Sequence, residues 1–322
     1  MIFIIGSITT ALCILVQKLQ KSSVQFALCT KLPPHHSAEY AFLRPSYPFY
    51  NIAFNDIEAF LQNNKSEITC ILNLSPLDLP AHTDPNLLNQ VIFSTSQKLW
   101  LWCAEHKKRY IYASSPTTYD CEKGTLHDEW KHLKNLKPKS TIGWLHHCMD
   151  LWVHQMLNSN MPKPVQTIAF KPFHVYGKVT SPLPVPLIDR WATNISEKKA
   201  VSIEKSHHDD FQDGMYIKHF LHMEDYTSML HWILLSDALP STIVNLAHDQ
   251  GYTLENAAQT TAAALEEPHH IIYNSLNKNS PEASYHPIER PSTLHLRSLG
   301  YNKPLLSLKQ GVKLSYCSSG VT

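Results

Sequence analysis

The chain has 322 residues, a length typical of about two domains, and its 43% hydrophobic content excludes a disordered protein. Lys and Arg number 28 against 27 Asp and Glu, so the formal net charge of +1 gives no electrostatic reason to expect nucleic-acid binding. The seven cysteines are scattered and include no C-x-x-C pair. This usage excludes a disulfide framework or a zinc ribbon and indicates a reduced, cytoplasmic protein.

The N-terminal stretch MIFIIGSITTALCILVQKLQ predicts a strand, a turn and a helix. Residues 2–5 are apolar, Gly6 and Ser7 predict a turn, and an apolar helix then runs to Lys21. A membrane segment is the alternative reading. However, no Lys or Arg precedes the apolar stretch, which ends by Val16, short of the roughly 20 residues that a bilayer span needs. We therefore expect no membrane partner.

Strand and helix patterns alternate along the chain to about residue 175. Further strands are predicted at 24–28, 68–74, 110–113 and 167–170, and amphipathic helices at 86–106 and 141–157. This alternation predicts an α/β fold with a Rossmann-like, doubly wound parallel sheet. Beyond Gly177, proline-rich and polar loops and shorter helical patterns predict a smaller, C-terminal mixed α/β domain.

Five segments carry a family resemblance, in the family's order. They are YIYASSPTTY (110–119), FKPFHVYG (170–177), HFLHMEDYTSMLHW (219–232), IVNLAHDQGYTLENAA (243–258) and LRSLGYNKPLLSLKQGV (296–312). Together they resemble the extended short-chain dehydrogenase/reductases of the NAD-dependent epimerase/dehydratase family. The last segment is similar to the tail of the ADP-L-glycero-D-manno-heptose 6-epimerases. The resemblance implies an NAD(P) cofactor and a nucleotide-sugar substrate.

The resemblance also implies a domain organisation. Residues 1–175 are expected to form the Rossmann-like dinucleotide-type domain, to which residues 213–248 return. Residues 176–212 and 249–322 are expected to form the smaller substrate-type domain. A homo-oligomer is compatible with the resemblance, whereas the identity of any protein partner stays open.

The dinucleotide-binding turn of the family is degenerate in this chain. The family's G-x-x-G-x-x-G needs glycines for a tight turn and for close approach to a pyrophosphate, and it aligns here to Gly6, Thr9 and Leu12. No carboxylate stands at residues 29–30 to hold the ribose hydroxyls. The cofactor positions that the resemblance implies are Gly6, Thr9, Leu12, Ile92 (in place of an asparagine) and Val175. We expect NAD(P) binding to be weak or lost.

The catalytic positions implied by the resemblance are also only partly retained. Ser115 matches the serine that hydrogen-bonds the reacting oxygen. The family's tyrosine acid/base and the lysine four residues after it align to Ile142 and His146. Isoleucine has no proton to transfer, so the expected chemistry lacks its centre.

Three positions match substrate contacts of the family. His174 replaces an asparagine, and Tyr285 matches a retained tyrosine. Lys218 replaces a phosphate-binding arginine, which keeps the charge but not the bidentate geometry.

The 20 histidines raise two rival interpretations. The loop 207–210, helped by His219 and His222, is a candidate metal site. Adjacent histidines point to different faces, however, so we expect no metal site. A hydrolase built on Ser115 would be expected to show a G-x-S-x-G elbow, which is absent from the sequence.

Three functions therefore stay open from sequence. The pattern favours a pseudoenzyme that keeps the epimerase fold for a binding or assembly role. The alternative is a diverged but active NAD(P)-dependent nucleotide-sugar epimerase or dehydratase, with His146 or His174 as the acid/base. The third is a metal-binding or otherwise unrelated activity on the same scaffold.

Overall fold

The computed structural model describes residues 1–7, 9–29, 56–78, 83–120, 124–178, 185–206, 209–275 and 288–317. In chain order its strands are β1 (Ile2–Ile5), β2 (Phe26–Cys29), β3 (Cys70–Asn73), β4 (Arg109–Ala113), β5 (Gln166–Pro172), β6 (Val175–Tyr176), β7 (Val201–Glu204), β8 (Ile217–Lys218), β9 (Leu221–His222), β10 (Thr242–Leu246), β11 (Tyr252–Thr253) and β12 (Ile271–Asn274).

Most of the helices lie between these strands in the chain, and the last two follow β12. They are α1 (Thr10–Lys21), α2 (Ile57–Asn63), α3 (Pro85–Leu88), α4 (Ser96–Glu105), α5 (Thr141–Leu157), α6 (Leu187–Ser196), α7 (Met223–Leu235), α8 (Leu254–Leu265), α9 (Leu294–Ser298) and α10 (Leu308–Val312). Within the described ranges, no helix is long and apolar enough to cross a lipid bilayer. The strand–turn–helix predicted for the N-terminus is confirmed by β1 and α1.

The central sheet confirms the predicted α/β fold. Among the described residues it has six strands in the order β10-β5-β4-β3-β1-β2, and every neighbouring pair is parallel. The five predicted strands all belong to it, and no predicted end differs from the observed one by more than two residues. The sixth strand, β10, was not predicted as a strand and pairs with β5 at the sheet edge.

Both faces of the sheet are covered by helices, which explains why its strands are buried almost throughout. Successive side chains of β1 point to opposite faces. Ile2 and Ile4 therefore join a hydrophobic cluster with α1 and α7, whereas Phe3 and Ile5 join a second cluster with α4 and α5.

The single helix predicted over 86–106 is wrong in detail. The structure has α3, then a wider π-helical segment at Asn89–Thr95, then α4. The Ser96 hydroxyl donates to the carbonyl of Val91, five residues back, at 3.4 Å, and accepts from Asn73 Nδ2 at 3.0 Å. A buried serine that bonds a backbone carbonyl competes with the regular helix pattern, and apolar periodicity does not reveal this.

The C-terminal half contributes short two-stranded sheets and a third hydrophobic cluster. Three pairs of strands form there: β6 with β9, β7 with β12, and β8 with β11. The cluster joins residues from α6 and β7 to residues from α8 and α10, among them Trp191, Ile203, Leu254 and Val312.

Candidate functional site

The sheet order reverses between β1 and β3, and this switch point defines a crevice at the carboxyl ends of the strands. Open α/β sheets bind ligands at such a point. Two cavities lie there and share Pro172, at the end of β5. We name them the α1 cavity, of about 270 Å³, and the His174 cavity, of about 160 Å³.

The α1 cavity is lined almost wholly by apolar side chains. Its lining residues are Ser7, Thr9, Thr10, Ala11, Leu12, Leu15, Leu74, Leu77, Pro172, Val175, Pro186, Met223, Tyr226 and Leu230. None of these described residues carries a charge. A pyrophosphate placed here would lose its hydration without gaining a cationic partner, which is strongly unfavourable.

The amino end of α1 is capped by its own chain. Thr9 is the N-cap residue, and its hydroxyl oxygen accepts a hydrogen bond from the amide of Leu12 at 3.2 Å. Free amides at such a helix start are what a bound phosphate would use. Leu12, only 3% exposed, belongs to the core and adds bulk at a position where the family has glycine.

Ser114 and Ser115 follow β4 at the carboxyl edge of the sheet, where the sequence placed them. The Ser114 hydroxyl donates to Asp150 Oδ2 at 2.7 Å. Ser115 caps the short 3₁₀ helix at Pro116–Tyr119, and its Oγ lies 2.8 Å from Thr117 Oγ1 and accepts from the Thr117 amide at 3.2 Å. Among the described residues, Thr117 is the only hydrogen-bond partner of the Ser115 hydroxyl, so no histidine activates it.

The first turns of α5 hold Ile142 and His146, the two positions at which the sequence predicts replacement of the catalytic pair. A Cβ at Gly143 would lie 2.5 Å from the Thr117 carbonyl oxygen, so α5 begins directly against the Ser115 turn. Ile142 is half-buried in this first turn. His146, one turn further on, is 3% exposed. Burial, and then the nearby charge of Lys171, lower the pKa of His146 to about 3. The imidazole is therefore neutral at pH 7.

A buried ion pair stands beneath these positions. The Lys171 ammonium lies 3.5 Å from Asp150 Oδ2, and both side chains are fully buried. Lys171 also donates to Thr118 Oγ1 at 2.7 Å, and the Tyr112 hydroxyl donates to Asp150 Oδ1 at 2.8 Å. These contacts hold both charged groups of the pair inside the fold.

His174 and Glu289 line the His174 cavity, and together with Lys218 they form a polar cluster. His174 Nε2 lies 2.6 Å from Glu289 Oε2, and the Lys218 ammonium donates to the other carboxylate oxygen, Oε1. His174 has a φ of 37°, in the left-handed region, which turns the chain at the end of β5. The structure thus brings together two of the three predicted substrate positions, but Glu289 already neutralises the charge of Lys218.

Acid is expected to weaken the fold through this cluster. Burial alone would raise the pKa of Glu289, but His174 and Lys218 outweigh it and lower the pKa to about 2. The cluster therefore stabilises the fold above the unfolded-state pKa of about 4.3, and this contribution is lost as the pH falls from there towards 2.

The measurement is urea denaturation of the wild type and Glu289→Gln at pH 7 and pH 3. We expect acid to reduce the free energy of unfolding of the wild type more than that of the variant, by on the order of 1–3 kcal/mol. Equal losses in the two proteins would contradict a lowered pKa at Glu289.

Asp120 is a second carboxylate in the lining of the His174 cavity. Its Oδ2 accepts hydrogen bonds from the amides of Lys139 and Ser140, each at 3.1 Å, whereas its Oδ1 is buried without a partner. Sequence reasoning missed both Asp120 and Glu289. Asp120 directly follows the YIYASSPTTY segment, so its place in the sequence could have identified it. No sequence feature pointed to Glu289.

The other predicted positions lie apart or outside the described residues. Ile92 is buried in the π-helical segment, and Val175 lines the α1 cavity. Tyr285 and residues 207–208 of the candidate metal loop are outside the described residues. His219 Nδ1 lies 2.7 Å from the His248 carbonyl oxygen, and His222 Nε2 lies 2.9 Å from Ser315 Oγ, so these two histidines have separate partners.

Comparison with known proteins agrees with this architecture. Helicobacter pylori ADP-L-glycero-D-manno-heptose-6-epimerase superposes with a TM-score of 0.75 at 16% identity, covering 98% of this chain and 94% of that one. Thermus thermophilus UDP-glucose 4-epimerase, solved as a complex with NAD, superposes with a TM-score of 0.73 at 15% identity, covering 98% and 97%. These likenesses show the fold.

Sequence comparison gives the family. The chain is 25% identical over 261 residues to ADP-L-glycero-D-manno-heptose-6-epimerase of Fusobacterium nucleatum, covering 78% of this chain and 77% of the relative. It is 20% identical over 248 residues to the enzyme of the same name from Nitratidesulfovibrio vulgaris, covering 76% and 75%. Residues 13–247 match the model of the "NAD dependent epimerase/dehydratase family". The chain therefore belongs to the NAD-dependent epimerase/dehydratase family.

Proposed function

We propose that this chain is a pseudoenzyme of its family: it keeps the epimerase fold, does not epimerise nucleotide sugars, and serves a binding or assembly role. The observation that carries the proposal is the start of α5, where Ile142 and a buried, neutral His146 occupy the positions of the acid/base and its lysine. A proton-transfer group needs an exchangeable proton and access to the reacting atom. Ile142 lacks the first, and His146 is buried away from solvent.

Lys171 does not replace the missing lysine. Its ammonium is fully buried and bonded to Asp150 and Thr118. To reach a ribose or a tyrosine-like hydroxyl in the crevice, it would leave the Asp150 carboxylate buried without a counter-ion, which costs several kcal/mol.

The residues of the crevice do not fit the cofactor that the family implies. The α1 cavity is lined mostly by apolar side chains. The Thr9 hydroxyl oxygen already accepts the hydrogen bond of the Leu12 amide at the start of α1. No charged side chain among the cavity's described lining residues could hold a diphosphate.

The affinity for NAD(P) tests this directly. We expect millimolar or absent binding of NAD⁺, NADH and NADPH by isothermal titration calorimetry, because hydrogen bonds to a charged phosphate contribute about 1.5–3 kcal/mol each and are missing here. The Fusobacterium relative, titrated in the same buffer, is the positive control. Micromolar binding by the chain would contradict the proposal.

One observation favours the second candidate, a diverged active enzyme. His174 lines the His174 cavity, and its Nε2 lies 2.6 Å from the Glu289 carboxylate, a contact that fixes the orientation of the imidazole. Turnover of ADP-heptose by the wild type would replace the pseudoenzyme proposal with this one. In that event His174→Gln is expected to reduce the rate about 100-fold or more, since acid/base groups contribute about 10²–10⁴.

A further inference from the structure

A second group of chemically active side chains lies outside the crevice, on the segment between the Ser115 turn and α5. It consists of His127, Glu129 and His132, whose ligand-type atoms all lie within 4.8 Å of one another. Glu129 is the N-cap residue of the 3₁₀ helix Trp130–Asn135. Residues three apart eclipse each other in such a helix, so Glu129 and His132 share one side.

We propose that His127, Glu129 and His132 form a binding site for a transition-metal dication of the Zn²⁺ type. Two imidazoles with one carboxylate are a common donor set for Zn²⁺, and three protein ligands leave a position for water. His132 Nε2 lies 3.6 Å from Glu129 Oε2. Ligands on one zinc ion are roughly 3–4 Å apart, given metal–ligand bonds of about 2.0–2.2 Å, so this pair already has the required spacing.

The ring of His127 completes the site with a small movement. Its centroid lies 4.8 Å from that of His132, with the planes 23° apart. Among the described residues, neither ring has a hydrogen-bond partner, and Glu129 is the carboxylate that lies nearest to His132. His127 is exposed and the other two are half-buried, so an ion can enter from solvent.

The Glu129 carboxylate forms an ion pair with Lys131. The Lys131 ammonium lies 2.9 Å from Glu129 Oε1, and its side chain is 66% exposed. An exposed pair of this kind contributes only about 0–1 kcal/mol, so a dication that also gains two imidazoles displaces it readily.

The backbone of the segment is fixed before any metal arrives. The carbonyl of His127 accepts from the Tyr119 hydroxyl at 3.0 Å, and the neighbouring Asp128 carboxylate accepts from the Asn245 amide at 2.7 Å. Trp130 Nε1 donates to the Ser241 carbonyl at 3.3 Å. Because the ligands stand on anchored backbone, binding requires side-chain rotation only, and little ordering cost opposes it.

The test is calorimetric titration of chelator-treated protein with ZnCl₂ at pH 7.5. We expect the wild type to bind one equivalent with micromolar affinity and to melt at a higher temperature with zinc than without it. His127→Ala/His132→Ala is expected to lose at least tenfold in affinity and the zinc-dependent rise in Tm. The matched control is His269→Ala/His270→Ala, which removes two exposed histidines elsewhere and should bind like the wild type.

Two further measurements keep the test decisive. Without metal, the thermal melts followed by circular dichroism should coincide for the wild type and both double variants. If His127→Ala/His132→Ala does not fold, Glu129→Gln takes its place, and we expect this variant to bind zinc more weakly although both imidazole rings remain. Nitrogen hyperfine splitting in the Cu²⁺ electron paramagnetic resonance spectrum should weaken in His127→Ala/His132→Ala alone. Equal zinc affinity in the wild type and that variant, or no binding by the wild type, would overturn the proposal.

Discussion

Replacing Lys171 by methionine is expected to reduce the free energy of unfolding by about 3–5 kcal/mol, the usual cost of removing one partner of a buried ion pair. Lys171 and Asp150 are both fully buried, and their charged atoms lie 3.5 Å apart. Without the ammonium, the donors left to the Asp150 carboxylate within the described part of the chain are the hydroxyl groups of Tyr112 and Ser114. Urea denaturation at pH 7 measures the loss.

Two variants separate this effect from a general loss of packing. Lys171→Met/Asp150→Asn removes both charges and is expected to recover much of the stability, since a neutral buried pair has no uncompensated charge. Lys98→Met breaks an ion pair with Glu58 whose side chains are 71% and 78% exposed, and it should change stability by less than about 1 kcal/mol. A loss below about 1 kcal/mol in Lys171→Met would show that the buried pair contributes nothing specific.

Restoring the family's catalytic pair, with Ile142→Tyr and His146→Lys, is expected to yield no epimerase activity. On the proposal that the crevice does not bind NAD(P), a restored acid/base pair has no nicotinamide to act on, and catalytic residues that work as a unit do not contribute additively. The structure adds a second reason: position 146 is buried, and the Lys171 charge already lowers the pKa of His146. A second ammonium there would lack a partner, so we also expect the double variant to lose a few kcal/mol of stability.

Epimerisation of the ADP-heptose, followed by NMR, is the assay for both the wild type and the double variant. The Fusobacterium relative serves as positive control, and Ile142→Tyr alone, which leaves position 146 unchanged, is expected to stay near wild-type stability. Turnover by the double variant alone would show that the crevice accepts cofactor and that only the acid/base pair is lacking.

The fold was predictable because its signals are local. The strand at β1 is buried on both faces and therefore reads as a continuous apolar run, and α5 has both a clear period and a serine N-cap at Ser140. The helix predicted over 86–106 failed where one buried hydroxyl, that of Ser96, altered the hydrogen-bond pattern. β10 was missed as a strand although its segment had been matched to the family.

Only those site positions that lie within one short sequence segment could be predicted from the sequence. The positions of Ser115, Ile142 and His146 follow from short segments with fixed spacing, and the structure places them around the start of α5. Glu289 stands 115 residues after His174 in the chain, and only the fold brings the two together. No periodicity or spacing encodes such a contact, and the same holds for the unpartnered oxygen of Asp120.

The Thr9 cap on α1 has a consequence for the life of the protein in the cell. A protein whose helix amides bind the phosphate of a dinucleotide is stabilised in its folded state when that cofactor is abundant. Its folded fraction therefore rises and falls with the cofactor concentration. Here the chain provides its own acceptor for the Leu12 amide. On the proposal that the crevice does not bind NAD(P), we expect the proteolytic turnover of this protein to be independent of the redox and nutritional state that sets the dinucleotide pool.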